Sequence, residues 1–176
     1  MKCVSLLCVL TVLLPTPLVG QNRVGNIATL GRLEIRATSF GPFAPNPKRP
    51  GKKQARPGHH FVAVMLKVRN VGTRRADIGL VPVMKVDAGF EYDAEIYVDL
   101  KEPRTASLLP TEESEGGFVF EIKDGTKPIA LTVTERPLSL GPPSAKSIEE
   151  NVARALNPRS IHISLKGIPE KSQPAS

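Results

Sequence analysis

Tryptophan is absent from these 176 residues, tyrosine occurs twice and phenylalanine six times. So few stacking surfaces argue against a binder of single-stranded nucleic acid, which relies on base–aromatic platforms. Both cysteines, Cys3 and Cys8, fall within the first twenty residues. That stretch combines Lys2, an apolar run from Val4 to Leu14 and a breaker-containing Pro15 to Gly20, which is the order of a secretory signal. The run is shorter than the ~20 residues of a spanning helix, so no transmembrane span is expected once 1–20 are removed. With Gln21 as the expected mature start, the processed chain holds no cysteine. Disulfides, thiolate nucleophiles, cysteine-based metal sites and a cysteine-borne lipid anchor are thereby excluded from it. Gly-x-Ser-x-Gly and Gly-x-x-x-x-Gly-Lys motifs are also missing, and with them the serine hydrolase and phosphate-loop signatures. No catalytic signature is present, no cofactor is implied, and an enzyme is not expected.

What the chain has in excess is positive charge. Formal net charge is +7, from 24 Lys and Arg against 17 Asp and Glu. The excess is local: Lys48, Arg49, Lys52, Lys53 and Arg56 lie between Gly41 and Gly58, a stretch of five prolines and three glycines without apolar periodicity. It reads as an exposed loop, longer than ordinary connections. These five side chains are the candidate ligands for a polyanion, with release of counterions as the driving force. The bland alternative is a solvated loop.

Beyond that loop, Gly58 to Gly72 is the best-defined element, a long strand with Val62, Val64, Leu66 and Val68 on one face. Phe61, Ala63 and Met65 give way to Lys67 and Arg69 on the other, so one face is core throughout and the other becomes wet. Further alternation predicts strands in Arg32 to Phe40, in Asp77 to Val86, in part of Phe90 to Leu100, in Phe118 to Lys123, in Ile129 to Thr134 and in Arg159 to Lys166. Pro82 predicts an edge strand or a bulge in its segment. Asp124-Gly125 predicts a hairpin joining its two neighbours. Ser147-Ile148-Glu149-Glu150 has capping-box spacing, with Val152, Ala155 and Leu156 at helical intervals before Pro158, and predicts one short accessory helix. The expected organisation is a signal at 1–20, a mature N-terminal segment at 21–31, one domain at 32–166 and a polar tail at 167–176. Strands at this spacing imply an antiparallel β-sandwich of about seven strands.

Two constellations offer chemistry of another class. His59, His60 and His162 could hold copper or zinc if their strands were neighbours. Adjacent histidines on a strand point to opposite faces, however, and His162 is out of phase with Ile161 and Ile163. Glu112, Glu113 and Glu115 suggest paired carboxylates or a calcium turn, but their spacing fits a solvated turn better.

Three pieces of the chain resemble a known family. Pro57 to Val64, continuing through Val68-Arg69-Asn70-Val71-Gly72, is similar to its central strand, in which an aromatic opens an aliphatic run that closes on Asn. Met84 to Tyr92 is similar to its strand–turn–Tyr segment, and Leu109-Pro110-Thr111-Glu112 before Gly117 to Ile122 resembles its Leu-Pro-Gly-Glu turn and penultimate strand, with Thr111 in place of Gly. The family is that of small exported Ig-like domains of bacteria and archaea, of uncharacterised function and known as immunoprotective extracellular domains. The resemblance implies an Ig-like sandwich and a binding or structural role in the cell envelope, secreted or periplasmic, with an unknown protein or an anionic envelope polymer as partner and no specific nucleic acid. It brings no site residues. The alternative is a metal-handling protein or hydrolase built on His59, His60, His162 or the turn 112–115.

Overall fold

A computed structural model describes residues 26–45, 54–76, 78–95, 100–103, 105, 108–137, 158–171 and 173–174. Among them the regular structure is all β: β1 Ile27–Leu30, β2 Leu33–Ala44, β3 His59–Asn70, β4 Ile78–Val86, β5 Glu91–Glu95, β6 Glu113–Lys123, β7 Pro128–Pro137, β8 Ser160–Ser164 and β9 Gln173–Pro174. The strand order is β1-β2-β3-β6-β5-β4-β7-β8, with β9 added to β2. Every pairing along that path is antiparallel. β5 belongs to both layers, since Val83 to Lys85 of β4 pair its first half while Ala94 and Glu95 pair β6. At the opposite side β1 lies beside β8. The result is a two-layer, barrel-like β-structure. The accessory helix expected at 147–156, residues 1–25 and residues 46–53 of the basic loop lie outside the described residues. Among those described, no helix is long and apolar enough to cross a membrane.

The period-two pattern of β3 produces the main core. Val62, Val64, Leu66 and Val68 are buried with Leu33, Ile35 and Ala37 of β2, Phe118, Phe120 and Ile122 of β6, Met84 of β4, Leu131 and Val133 of β7 and Ile163 of β8. Each such side chain contributes roughly 1.5–3 kcal/mol of burial. The opposite face of β3 carries a second cluster, in which Phe61 and Ala63 meet Phe43 and Val119, with Ala55 and Leu100 packed against them. A bulge makes this possible. The β2–β3 register slips between Ala37 and Ser39, and one extra residue reverses which face each later side chain takes. Phe43 is thereby turned outward into the second cluster. Opposite Leu66, Gly116 lets another stretch of backbone approach β6, since an added Cβ would stand 2.4 Å from the Lys101 carbonyl oxygen, and Gly117 N–H donates to that oxygen at 2.9 Å.

Several expectations change in three dimensions. The Asp124-Gly125 turn does not close a hairpin. β6 is flanked by β3 and β5, and β7 by β4 and β8, so 124–127 carries the chain from one layer to the other. Its backbone is tied to other strands, Asp124 N–H donating to Gly58 O at 2.9 Å and Lys127 N–H to Asp87 Oδ1 at 3.0 Å. Pro82 sits in a continuous strand paired along its length with β7, and the register shift lies between Lys85 and Val86 instead. β5 pairs β4 only from Val83 onward, so the proline, which has no N–H to offer, stands where that ladder stops. β2 runs on to Ala44 rather than ending at Phe40, because the last residues lie along its free edge: Lys171 N–H donates to Phe40 O at 2.8 Å, and β9 pairs Phe43 and Ala44 in parallel. Gly41 is required there, since a Cβ would fall 2.2 Å from the Lys171 carbonyl oxygen. The stretch read as a polar tail is thus part of the sheet, and Ile168 joins the core.

At the far end of β3, Asn70 is fully buried. Its amide nitrogen donates to the Arg74 and Leu108 carbonyls, each at 2.8 Å, and Oδ1 accepts from Gly72 N–H at 2.9 Å. Its main chain exchanges bonds with Thr111 and Glu112. Thr111 has φ 65°, a left-handed conformation that a β-branched residue adopts at a cost and that suits the Gly of the resembling turn. Asn70→Ala is expected to lower unfolding free energy by roughly 2–4 kcal/mol, because buried partners lose their bonds. Thr111→Gly is expected to raise it by about 0.5–1 kcal/mol, after the entropy cost of glycine is deducted. Urea denaturation of the three proteins checks both signs.

Candidate functional site

Chain direction gathers one set of connections at a single end. β2 leaves there and β3 enters, β6 passes to β7, β4 turns into β5, and β8 ends. Exposed Lys123, Lys127, Lys166 and Lys171 are balanced by Asp87, Glu91, Asp124 and Glu170. Charge among the described residues here is thus even, and the local excess in the sequence is that of Lys48, Arg49, Lys52 and Lys53. Those four lie outside the described residues, in the connection between Pro45 and Gln54.

Arg56, the fifth basic candidate, has a different occupation. Its backbone N–H donates to Glu121 Oε1 at 2.6 Å and its Nε to the same oxygen at 3.0 Å. The Glu121 side chain is only 2% exposed, whereas that of Arg56 is 65% exposed. Glu121 stands opposite Phe61 on the face of the second cluster. A carboxylate there needs charged hydrogen bonds to offset desolvation, and the residue that supplies them is the one leading the basic connection back into β3. The arginine fixes the return leg of the loop to the sheet. Alternation alone places Glu121 on an outward face; the clue to its burial is that Val119, Phe61 and Ala63 share that face and must be covered.

Next to this anchor is a cleft of about 220 Å³ lined by Phe40, Pro42, Val62, Pro128, His60 and Lys127, together with Thr126 and Glu170. His60 Nδ1 lies 2.8 Å from Asp124 Oδ1, which orients the ring. His59 points elsewhere, its Nδ1 3.2 Å from the Pro57 carbonyl oxygen. His162 is on β8 in the other layer, its Nδ1 3.0 Å from Thr132 Oγ1. The three imidazoles therefore have separate partners, and among the described residues no group of three or more His, Cys, Asp or Glu is placed to hold a metal ion.

The acidic residues diverge as well. Glu112 Oε2 accepts from Leu109 N–H at 2.9 Å and closes its own turn. Glu113 and Glu115 enter β6 opposite Arg69 and Lys67, within a charged outer surface that also includes Glu34 and Arg36. Lys67 Nζ donates to Glu113 Oε2 at 2.6 Å. That hydrogen bond, helped by the charges of Lys67, Arg69 and Arg36 and opposed by desolvation, holds the Glu113 carboxyl below its ordinary 4.5. A depressed carboxyl stabilises the fold above its unfolded value and ceases to do so as acid protonates it. Lys67→Met is therefore expected to remove part of the stability lost on acidification below about pH 4.5, read from urea midpoints across that range.

For the anchor, Arg56→Ala is expected to cost about 1–2 kcal/mol, because it leaves a buried carboxylate short of partners. Arg56→Ala combined with Glu121→Leu is expected to recover most of that loss, since an apolar replacement needs no partner. Denaturant unfolding of both variants checks the sign, and a double variant less stable than Arg56→Ala contradicts it.

A candidate lipoprotein of Bacillus subtilis (ycdA) aligns over 80% of this chain at 11% identity with a TM-score of 0.46, and the chain spans only 38% of its length. An uncharacterised β-sandwich protein of Clostridium difficile 630 aligns over 64% of this chain and 83% of its own, at 11% identity and a TM-score of 0.37. A conserved hypothetical protein of Bacillus anthracis aligns over 64% and 87%, at 12% identity and a TM-score of 0.41. Comparison with curated proteins gives no match. A family model matches residues 22–142, most of the chain, and the protein accordingly belongs to the family described as Domain of unknown function (DUF4352).

Proposed function

We propose that this chain is an extracytoplasmic, Ig-like binding module that engages an anionic envelope polymer or the acidic surface of a partner protein, and that it is not an enzyme. Lys48, Arg49, Lys52 and Lys53 are the neutralising groups, and Arg56 is the anchor that holds their connection in register with β3. The observation that carries this reading is the concentration of excess positive charge in one connection whose return leg is pinned by a buried carboxylate. Charge that merely solvates a loop needs no such attachment. Binding on loops at one end of a rigid β-scaffold is a recurrent arrangement. The separate partners of His59, His60 and His162 weigh against metal handling, and the divergence of Glu112 from Glu113 and Glu115 weighs against a paired-carboxylate hydrolase. Export is supported by the reading of residues 1–20 as a signal.

Polyphosphate and dextran sulfate are suitable probes. Affinity is expected to fall steeply with added salt, as counterion release requires. Replacement of Lys48, Arg49, Lys52 and Lys53 by Gln is expected to weaken binding about tenfold or more at low salt while leaving the unfolding midpoint in place. Affinity indifferent to both salt and substitution contradicts the reading.

A further inference from the structure

The cleft at the basic end is too shaped to be accounted for by charge alone. Its floor is apolar, formed by Val62, which is 3% exposed, with Phe40, Pro42 and Pro128 around it. Beside that floor stand the polar side chains of His60, Thr126, Lys127 and Glu170, the combination of apolar wall and convergent polar groups that suits a small ligand. His60 lines it with Nδ1 committed to Asp124 at 2.8 Å, leaving Nε2 for a ligand. Lys127 also lines it, and its ammonium has no carboxylate partner among the described residues. The lysine's position is fixed through its main chain, since its N–H donates to Asp87 Oδ1 at 3.0 Å. One wall, carrying Glu170, comes from the C-terminal segment docked on β2 by the Lys171-to-Phe40 bond.

We propose that this cleft is a binding site for an oxyanion borne on a compact ring, a phosphate or carboxylate group attached to a sugar or other cyclic body. Lys127 and His60 take the oxyanion, Asp124 positions His60, and the ring lies against Val62, Phe40 and the two prolines. The inference rests on the anion-binding reading above and deepens it, by giving an anionic polymer a place where one of its units is held by shape. Glu170 has the wrong charge for this ligand and limits its affinity.

The test is a titration of the full mature chain, followed by NMR of its labelled backbone amides, with phenyl phosphate and benzoate as ring-borne oxyanions. Inorganic phosphate lacks the ring, and benzyltrimethylammonium has the ring with the opposite charge. The expected result is saturable shifts centred on Gly41, Val62, Thr126 and Lys127, with phenyl phosphate or benzoate at least about tenfold tighter than inorganic phosphate because a ring is buried. Which of the two binds tighter identifies the group. Lys127→Ala is expected to weaken the ring-borne anion about fivefold or more, and Glu170→Gln to tighten it about twofold, as removal of unlike and like charge dictates. Asp124→Asn is expected to weaken the ring-borne anion about twofold or more, because His60 loses the charged partner that orients its ring. The proposal is overturned if inorganic phosphate matches phenyl phosphate, if the cation binds equally, or if no saturable shifts centre on the cleft. Should polyphosphate bind through the loop lysines while the ring-borne anions do not, the cleft proposal fails and the polyanion reading stands. Should the ring-borne anions bind as described while polyphosphate does not, the reverse holds.

Discussion

Burying a carboxylate in a β-structure is costly unless a cation comes to it, and among the described residues this happens twice. Glu121 and Glu135 have side chains only 2% and 3% exposed, and each meets an arginine that is itself mostly in water. Arg56 precedes β3 and Arg159 precedes β8. Each arginine thus ends a long connection at the point where it rejoins the sheets. Arg159 grips Glu135 with two bonds of 2.7 Å, from Nε and a terminal nitrogen, and these hydrogen bonds raise the guanidinium above its usual value against the opposing effect of burial. The same guanidinium lies over Gly31, where an added Cβ would be 2.9 Å from a terminal nitrogen, so it also links β8 to the β1–β2 turn and helps to close the side where the two layers meet.

The Arg56 pair does comparable work at the other end. It stands on the second apolar cluster, which the bulge in β2 completes by turning Phe43 outward and which Gly117 of β6 leaves room for, since an added Cβ there would stand 2.8 Å from the Leu100 side chain. Local irregularity thereby creates a covered outer face, the covered face admits Glu121, and Glu121 holds the basic connection. The cleft beside it depends on a different docking, that of the C-terminal segment along the upper half of β2. Scaffold and candidate site are thus joined by named contacts.

Much of the framework was legible in the residues. Alternation located β3, β6, β7 and β8, and the four inward positions of β3 are buried as read. What escaped is non-local. Asp124-Gly125 carries a hairpin signal, yet neighbouring strands claim both edges of β6, and local turn chemistry cannot report that competition. Pro82 marks a true interruption, but of one ladder only. β1 is four residues long and the C-terminal pairing two, too short for periodicity to register. Of the site, the basic cluster was evident from composition, whereas the role of Arg56 was not, because a glutamate in alternation with Phe120 and Ile122 reads as solvent-facing. Only the apolar residues sharing its face hint otherwise.

Whether function is concentrated where the basic connection leaves and rejoins the sheets can be read without substitutions. Hydrogen–deuterium exchange of the intact protein, with and without bound polyphosphate, compares the two ends and the charged outer surface in one measurement. Protection confined to Gln54 to His60, the 124–127 turn and the segment around Gly41 is the result this account predicts. Protection centred instead on Glu34, Arg36, Lys67 and Arg69, or around Asn70 at the opposite end, would contradict it.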